Sequence, residues 1–160
     1  MLLRRGPEDL PASPRQLQEM ILLNALSGIV VLSTRYQASL ALSLMVLDLV
    51  LSLGFTWLLL RALNRRPRFL QTATAVCGVD ILYGLLLWPL LLSSTGENAG
   101  QGGSSLVPLL QLFMFAWELL VIAHIFRRAI ESSMSSAIAL SFALFIISIT
   151  VTQLFFSGAQ

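Results

Sequence analysis

Four polar residues that can hold protons, cations or hydrogen-bond partners lie inside otherwise apolar stretches of this chain. They are Asn24, Asp48, Asp80 and Glu118. An acid at the centre of a membrane helix costs roughly 2.5–3.5 kcal/mol by insertion scales, so such residues turn toward the interior of a helix bundle. There they either handle protons and ions or hydrogen-bond one helix to another.

The distances from flanking arginines predict one depth for these four side chains. Asp80 follows Arg68 by 12 residues, which is about 18 Å along a helix. The matching separations for Asp48, Glu118 and Asn24 are 13, nine and nine residues. We therefore predict an intramembrane polar cluster, which serves either proton and ion handling or helix packing.

The composition indicates which elements must position this cluster. The chain is 56% hydrophobic and 11% charged, with a mean hydropathy of +0.82. A soluble domain is about 25% charged, so a soluble function for the whole chain is excluded. All ten basic residues are arginines that flank apolar segments, and we interpret them as topology signals for a lipid bilayer rather than as a nucleic-acid surface.

The apolar segments predict an all-α, polytopic membrane helix bundle with five transmembrane helices. The first segment is short in its apolar part, so a re-entrant or interfacial helix is the alternative there. Ser13, Pro14 and Gln16 are typical of a capped helix start. Residues 1–15 form a polar N-terminal segment, and residues 16–160 form one bundle with a flexible loop at 93–105. The predicted helices are 16–34, 36–63, 69–92, 106–128 and 134–156.

The arginines predict the orientation of this bundle. If all five segments span, nine of the ten arginines fall on one side. Arginine bias near span ends marks the cytoplasm, so the N-terminus is expected inside and the C-terminus outside. We predict a multi-pass membrane protein whose C-terminal side is periplasmic or luminal. The topology-determining residues between segments are Arg61, Arg65, Arg66, Arg68, Arg127 and Arg128.

The other reactive residue types do not form a catalytic or metal-binding set. His124 is the one histidine, and it lies three positions before Arg127. This places it near the membrane interface, as a pH-sensitive group or as an anchor. The chain has a single cysteine and no Ser-His-Asp set, phosphate loop or redox pair. We predict no enzyme, no metal and no cofactor.

Several short motifs resemble the YIP family of five-span membrane proteins. They are Gly6-Pro7-Glu8-Asp9-Leu10-Pro11, Tyr83-Gly84 with Pro89, Arg68-Phe69-Leu70-Gln71-Thr72 and Ala123-His124-Ile125-Phe126-Arg127. In eukaryotes, members of that family bind Rab GTPases and act in vesicle traffic. The resemblance implies a small bacterial inner-membrane relative that works as a multispan scaffold or adaptor, and it implies no catalytic residue.

Two functional hypotheses follow. The first is a non-enzymatic scaffold, adaptor or accessory subunit that acts through other membrane proteins or through self-association. The alternative is a small proton- or cation-coupled transporter or channel that uses the mid-membrane carboxylates. A cavity at the three acids favours transport, whereas dry packing there favours the scaffold.

Overall fold

The computed structural model describes residues 12–95 and 106–156, and these are almost entirely helical. The all-α prediction is confirmed for this part of the chain. Residues 1–11 of the polar segment, with the Gly6–Pro11 motif, and residues 96–105 of the predicted loop lie outside the described residues. The α-helices are α1 (Pro14–Leu32), α2 (Ala38–Ala62), α3 (Phe69–Thr95), α4 (Leu106–Ile130) and α5 (Met134–Phe156), with a 3-10 turn at Arg66–Arg68.

The predicted bounds are right for both ends of α5 and for the starts of α3 and α4, and the other bounds differ by one to three residues. α3 continues to Thr95 because the polar residues at 93–95 do not break a helix, and Pro89 lies inside it. α1 begins at Pro14, two residues before the predicted bound, and the proline occupies the first turn as the sequence predicted. However, the Ser13 side chain makes no capping hydrogen bond, so the predicted side-chain cap was wrong.

Four of the helices are long and apolar enough to cross a membrane. They are α2, α3 together with its preceding 3-10 turn, α4 and α5, with mean hydropathies between 2.0 and 2.2. A hydrocarbon core of about 30 Å needs about 20 predominantly apolar residues, so these helices indicate an integral membrane protein. α1, with 19 residues, does not meet the same criterion of length and apolar content.

The helices form a closed ring in the order α1, α2, α5, α4, α3. α1 packs against α2 and α3, α2 packs against α5, and α4 joins α5 to α3. α2 also contacts α3, to which the 3-10 turn connects it. The ring leaves no helix at its centre, so polar side chains that point inward face one another.

α1 lies lengthwise in this ring. Asn24, near its middle, is hydrogen-bonded to Asp80, near the middle of α3. Nearer the C-terminal end of α1, Val31 lies beside Gly84 of α3, since Val31 Cγ2 would be 3.8 Å from a Cβ added at Gly84. Residue numbers therefore rise in the same direction along both helices, and α1 is parallel to α3.

A cluster of buried apolar side chains fills one half of the ring. Its members come from the first halves of α3 and α5 and from the second half of α4, which meet at one end of the bundle. Phe126 is completely buried in it, with its ring 6.0 Å from that of Phe55. We call this cluster the apolar plug. It consists of Val76, Val79, Ile122, Ala123, Ile125, Phe126, Ala137 and Leu144.

Candidate functional site

The other half of the ring encloses a cavity of about 570 Å³, to which all five helices contribute. We call it the central cavity. Asn24, Asp48, Asp80 and Glu118 all line it. The structure thus brings together the four residues that the sequence singled out, and they come from four different helices.

Asn24 and Asp80 form a direct link across the cavity wall. The Asn24 side-chain amide donates to Asp80 Oδ2 at 3.3 Å, and Asn24 is 3% exposed. The face of α3 next to Asp80 carries small side chains, of which Ala73 and Cys77 are almost completely buried. Small residues let membrane helices approach closely, so α1 comes near enough for its amide to reach the carboxyl group.

Asp48 lies on a stripe of α2 that faces the central cavity. Leu40, Leu44, Asp48 and Ser52 follow one another every four residues, and all of them line the cavity. Residues four apart share a helix face, so this repeat explains the alignment. Asp48 is exposed, whereas Asp80 and Glu118 are only partly exposed.

Glu118 completes the set from α4. Its carboxyl group lines the same cavity as those of Asp48 and Asp80. No arginine or histidine is found among the described residues that line the cavity. Ionised carboxylates of like charge repel in an apolar surrounding, and a cation or protons brought between them relieve that repulsion.

The remaining wall of the cavity is mostly apolar and partly aromatic. Phe115 and Phe145 line it with their ring centroids 4.4 Å apart, and Tyr83 lines it near Glu118. A cavity of this composition suits a small molecule with an apolar body and a positive charge, because aromatic faces and carboxylates both attract cations.

The central cavity extends from mid-bundle to one end of the ring. Its lining includes Tyr36 in the turn after α1, Leu91 near the end of α3, and Gln153 and Phe156 near the end of α5. The apolar plug fills the opposite half of the ring. Access to the three carboxyl groups therefore lies on the side away from the plug.

His124 does not line the central cavity. It is half-buried on α4, between Glu118 and the end of the helix, and its Nε2 is buried without a hydrogen-bond partner in the described part of the chain. Its predicted role as a pH-sensitive group stays a prediction. Within residues 12–95 and 106–156, no three histidine, cysteine, aspartate or glutamate side chains form a group that could hold a metal ion.

The arginines that were predicted to determine the topology lie at the end of the ring beyond the plug. Arg65 donates two hydrogen bonds to Glu131, at 3.2 and 2.7 Å, and Arg68 donates a third at 2.5 Å. Arg61 lies 4.9 Å above the ring of Trp57. Arg66, Arg127 and Arg128 are exposed. The α2–α3 and α4–α5 connections therefore share one end of the bundle.

Glu131 is a structural residue that the sequence analysis missed. The guanidinium groups of Arg68 and Arg65 hold the pKa of its carboxyl below the ordinary value. The backbone at Glu131 is left-handed, with φ 55°. The Ser132 N–H donates a hydrogen bond to the Arg127 carbonyl at 3.2 Å, and the two features together are those of a Schellman motif at a helix end. A carboxylate directly after a helix whose last turn carries two arginines was the signal available in the sequence.

No family model, curated protein or solved structure matches this chain. The resemblance to the YIP family stays a prediction that rests on short motifs. Of the motif residues, Tyr83 and Gly84 line the central cavity, and Pro89 lies inside α3.

Proposed function

We propose that the protein is a small proton-coupled carrier that binds an organic cation with an apolar body in the central cavity. One observation supports this function above all. Three carboxyl groups and one amide, from four helices, line a single cavity of about 570 Å³ whose lining contains no arginine or histidine within the described residues. Ionisable residues inside a membrane bundle are costly, and they typically mark proton or ion pathways.

The three carboxyl groups couple the release of the cation to the uptake of protons. A bound cation interacts with their ionised forms, whereas protons convert the same groups to neutral acids. Cation and protons therefore compete for Asp48, Asp80 and Glu118, and the uptake of protons releases the cation. Because Asn24 donates to Asp80 Oδ2, it orients that carboxyl group and leaves its other oxygen for the ligand.

The topology proposed for this carrier has five spans, with the N-terminus cytoplasmic and the C-terminus outside the bacterial inner membrane. The alignment of α1 with α3 supports α1 as the fifth span, since their middles lie at one level. Arginine-rich connections mark the cytoplasmic side, so the end of the ring with Glu131 is placed there. The central cavity then opens to the outside, and the apolar plug closes it toward the cytoplasm.

The scaffold or accessory role, with other membrane proteins or self-association as its basis, remains a prediction. Dry packing of the acids was the expectation attached to it, and the central cavity does not fit that expectation. The binding experiment below separates the two functions, because a scaffold needs no ligand at the carboxyl groups.

The test measures binding of tetraphenylphosphonium, an apolar cation, to the purified protein by equilibrium dialysis at several pH values. We expect saturable binding that weakens as the pH falls. Asp48→Asn, Asp80→Asn and Glu118→Gln should each weaken it about tenfold or more, which corresponds to about 1.4 kcal/mol. Glu19→Gln is the matched control, because Glu19 is an exposed carboxylate on α1 that pairs with Arg15.

Three results decide the outcome. Binding that is lost in the cavity variants and kept in Glu19→Gln supports the carrier, and pH-driven uptake into liposomes should then show the same pattern. Equal binding by the triple variant and the wild type would refute the proposed site. Absence of saturable binding to protein that melts cooperatively would refute the proposed ligand class.

A further inference from the structure

Aromatic side chains and carboxyl groups lie at different levels of the central cavity. We call the end of this cavity away from the apolar plug its mouth. α3 runs toward the mouth, and Tyr83 follows Asp80 on it by three residues. α4 runs from the mouth toward the plug, and Phe115 precedes Glu118 on it by three residues. Three residues span about 4.5 Å of a helix, so each aromatic residue is attached that much closer to the mouth than the acid on its helix.

Phe145 of α5 adds a third ring near this level. Its centroid lies 4.4 Å from that of Phe115, and the two ring planes are inclined by 51°. Both residues are partly exposed, and both line the cavity. Because the planes are inclined, neither ring covers the whole face of the other, and a further ring can pack against the pair. We call Tyr83, Phe115 and Phe145 the aromatic layer.

The apolar plug closes the cavity on the other side of the carboxyl groups. Ile122 and Leu144 belong to the plug and also line the cavity. They are 8% and 7% exposed, so they form a packed floor. Ile122 follows Glu118 by four residues and therefore shares its face of α4, one turn nearer the plug. A ligand whose charge lies at the carboxyl groups must extend toward the mouth, and it then enters the aromatic layer.

The two levels recognise different chemical groups. Carboxylates attract a cationic nitrogen. Aromatic rings pack edge-to-face or offset against another ring, and such pairs gain more than the burial of their area alone provides. The offset between the levels, about 4.5 Å along each helix, matches a short aliphatic chain between the nitrogen and a ring.

We propose that the ligand of the central cavity is an arylalkylammonium ion, in which a short aliphatic chain joins one aromatic ring to a cationic nitrogen. The nitrogen lies at the carboxyl groups, and the ring packs in the aromatic layer. Phe115 and Phe145 thus determine specificity, while the carboxyl groups supply the attraction for the charge. This inference rests on the proposed carrier function, since it assigns the ligand of the same cavity.

The experiment compares two ligands of nearly equal shape and equal charge, phenethyltrimethylammonium and (cyclohexylethyl)trimethylammonium. Equilibrium dialysis at neutral pH gives the dissociation constant of each for the purified protein. We expect the wild type to bind the phenyl ligand about fivefold more tightly, although the cyclohexyl ligand is the more apolar of the two. Asp80→Asn should weaken the binding of both ligands about equally, because both carry the same charge.

Two double variants test where the ring binds. Phe115→Leu/Phe145→Leu should bind both ligands with equal affinity, because it keeps an apolar wall and removes the ring faces. Phe113→Leu/Phe155→Leu is the matched control on the same two helices. Phe113 and Phe155 are 66% and 74% exposed and do not line the cavity, so this variant should keep the fivefold preference. The ratio of the two affinities within one protein is the measurement, so a variant that folds less completely does not change it.

The outcomes separate this inference from the carrier function. A preference that is lost in the cavity variant and kept in the control supports the aromatic layer. Equal binding of the two ligands by the wild type overturns the inference, as does a preference that survives in Phe115→Leu/Phe145→Leu. In both cases the carrier function stands if Asp80→Asn still weakens binding. Absence of saturable binding of either ligand to the folded wild type overturns the carrier function, and this inference with it.

Discussion

The contact between Gly28 on α1 and Met45 on α2 allows a quantitative test of the ring. A Cβ added at Gly28 would lie 2.1 Å from Met45 Sδ and 3.0 Å from its Cε. Ordinary contacts begin at about 3.4 Å, so the sulfur must move by about 1.3 Å in Gly28→Ala. Met45 is only 5% exposed. Its side chain can therefore move away only if α1 or α2 shifts or if it enters the central cavity.

The expected free energies follow from this geometry. Overpacking of this kind costs about 1–3 kcal/mol of unfolding free energy. The replacement of glycine by alanine in a helix returns about 1 kcal/mol. The unfolding free energy of Gly28→Ala should therefore equal that of the wild type or be lower by up to about 2 kcal/mol. In a Met45→Ala background the clash is absent, and the same substitution should stabilise the protein by up to about 1 kcal/mol.

The assay is a double-mutant cycle on unfolding free energies measured in bicelles. We expect a coupling energy of about 1–3 kcal/mol between positions 28 and 45. Gly78→Ala with Met45→Ala is the matched control, because a Cβ added at Gly78 meets nothing within 4 Å. A coupling at Gly28 no larger than about 0.5 kcal/mol, the scatter of independent sites, would show that α1 does not pack on α2 as described.

Two further predictions concern the two ends of the bundle. Arg68 and Arg65 hold the pKa of Glu131 below its ordinary value of 4.5, so their ion pairs stabilise the folded state above that pH and stop doing so as the pH falls through the lower folded value. The melting temperature should therefore drop between neutral pH and pH 3 more in the wild type than in Glu131→Gln. An equal drop in the two proteins would contradict the ion pairs. At the cavity, a charged thiol reagent should label Ser148→Cys, which lines the central cavity, but not Ile147→Cys, which is exposed on the outer face at the same depth. These variants are made in a chain without the native cysteine, and equal labelling would contradict a water-filled cavity.

The helix types could be predicted from the sequence because they depend on local spacing, and the prediction that the acids share one level has the same basis. Runs of about 20 apolar residues specify membrane helices, and the distances to flanking arginines specify depth. That Asp48, Asp80 and Glu118 are placed around one cavity follows from this depth and from the cost of a carboxylate facing lipid.

The contacts between helices could not be predicted in the same way. Nothing local to Asn24 indicates that its partner is Asp80, because that bond depends on the order of helices around the ring. The role of Glu131 depends on two connections that lie 66 residues apart in the sequence, Arg65 being in the other one. The space at the carboxyl groups likewise results from the way five helices surround the central cavity.

The number of helices in the closed ring is odd, and this determines how neighbouring helices can be oriented. Helices that alternate in direction can all be antiparallel to both neighbours only when a ring has an even number of members. With five members one seam must join helices that run the same way, and here it is the seam between α1 and α3. Antiparallel neighbours have opposed macrodipoles, which attract, whereas the dipoles at this seam are aligned and repel. The Asn24–Asp80 hydrogen bond crosses that seam, and thus holds the bundle together where its backbone electrostatics are least favourable.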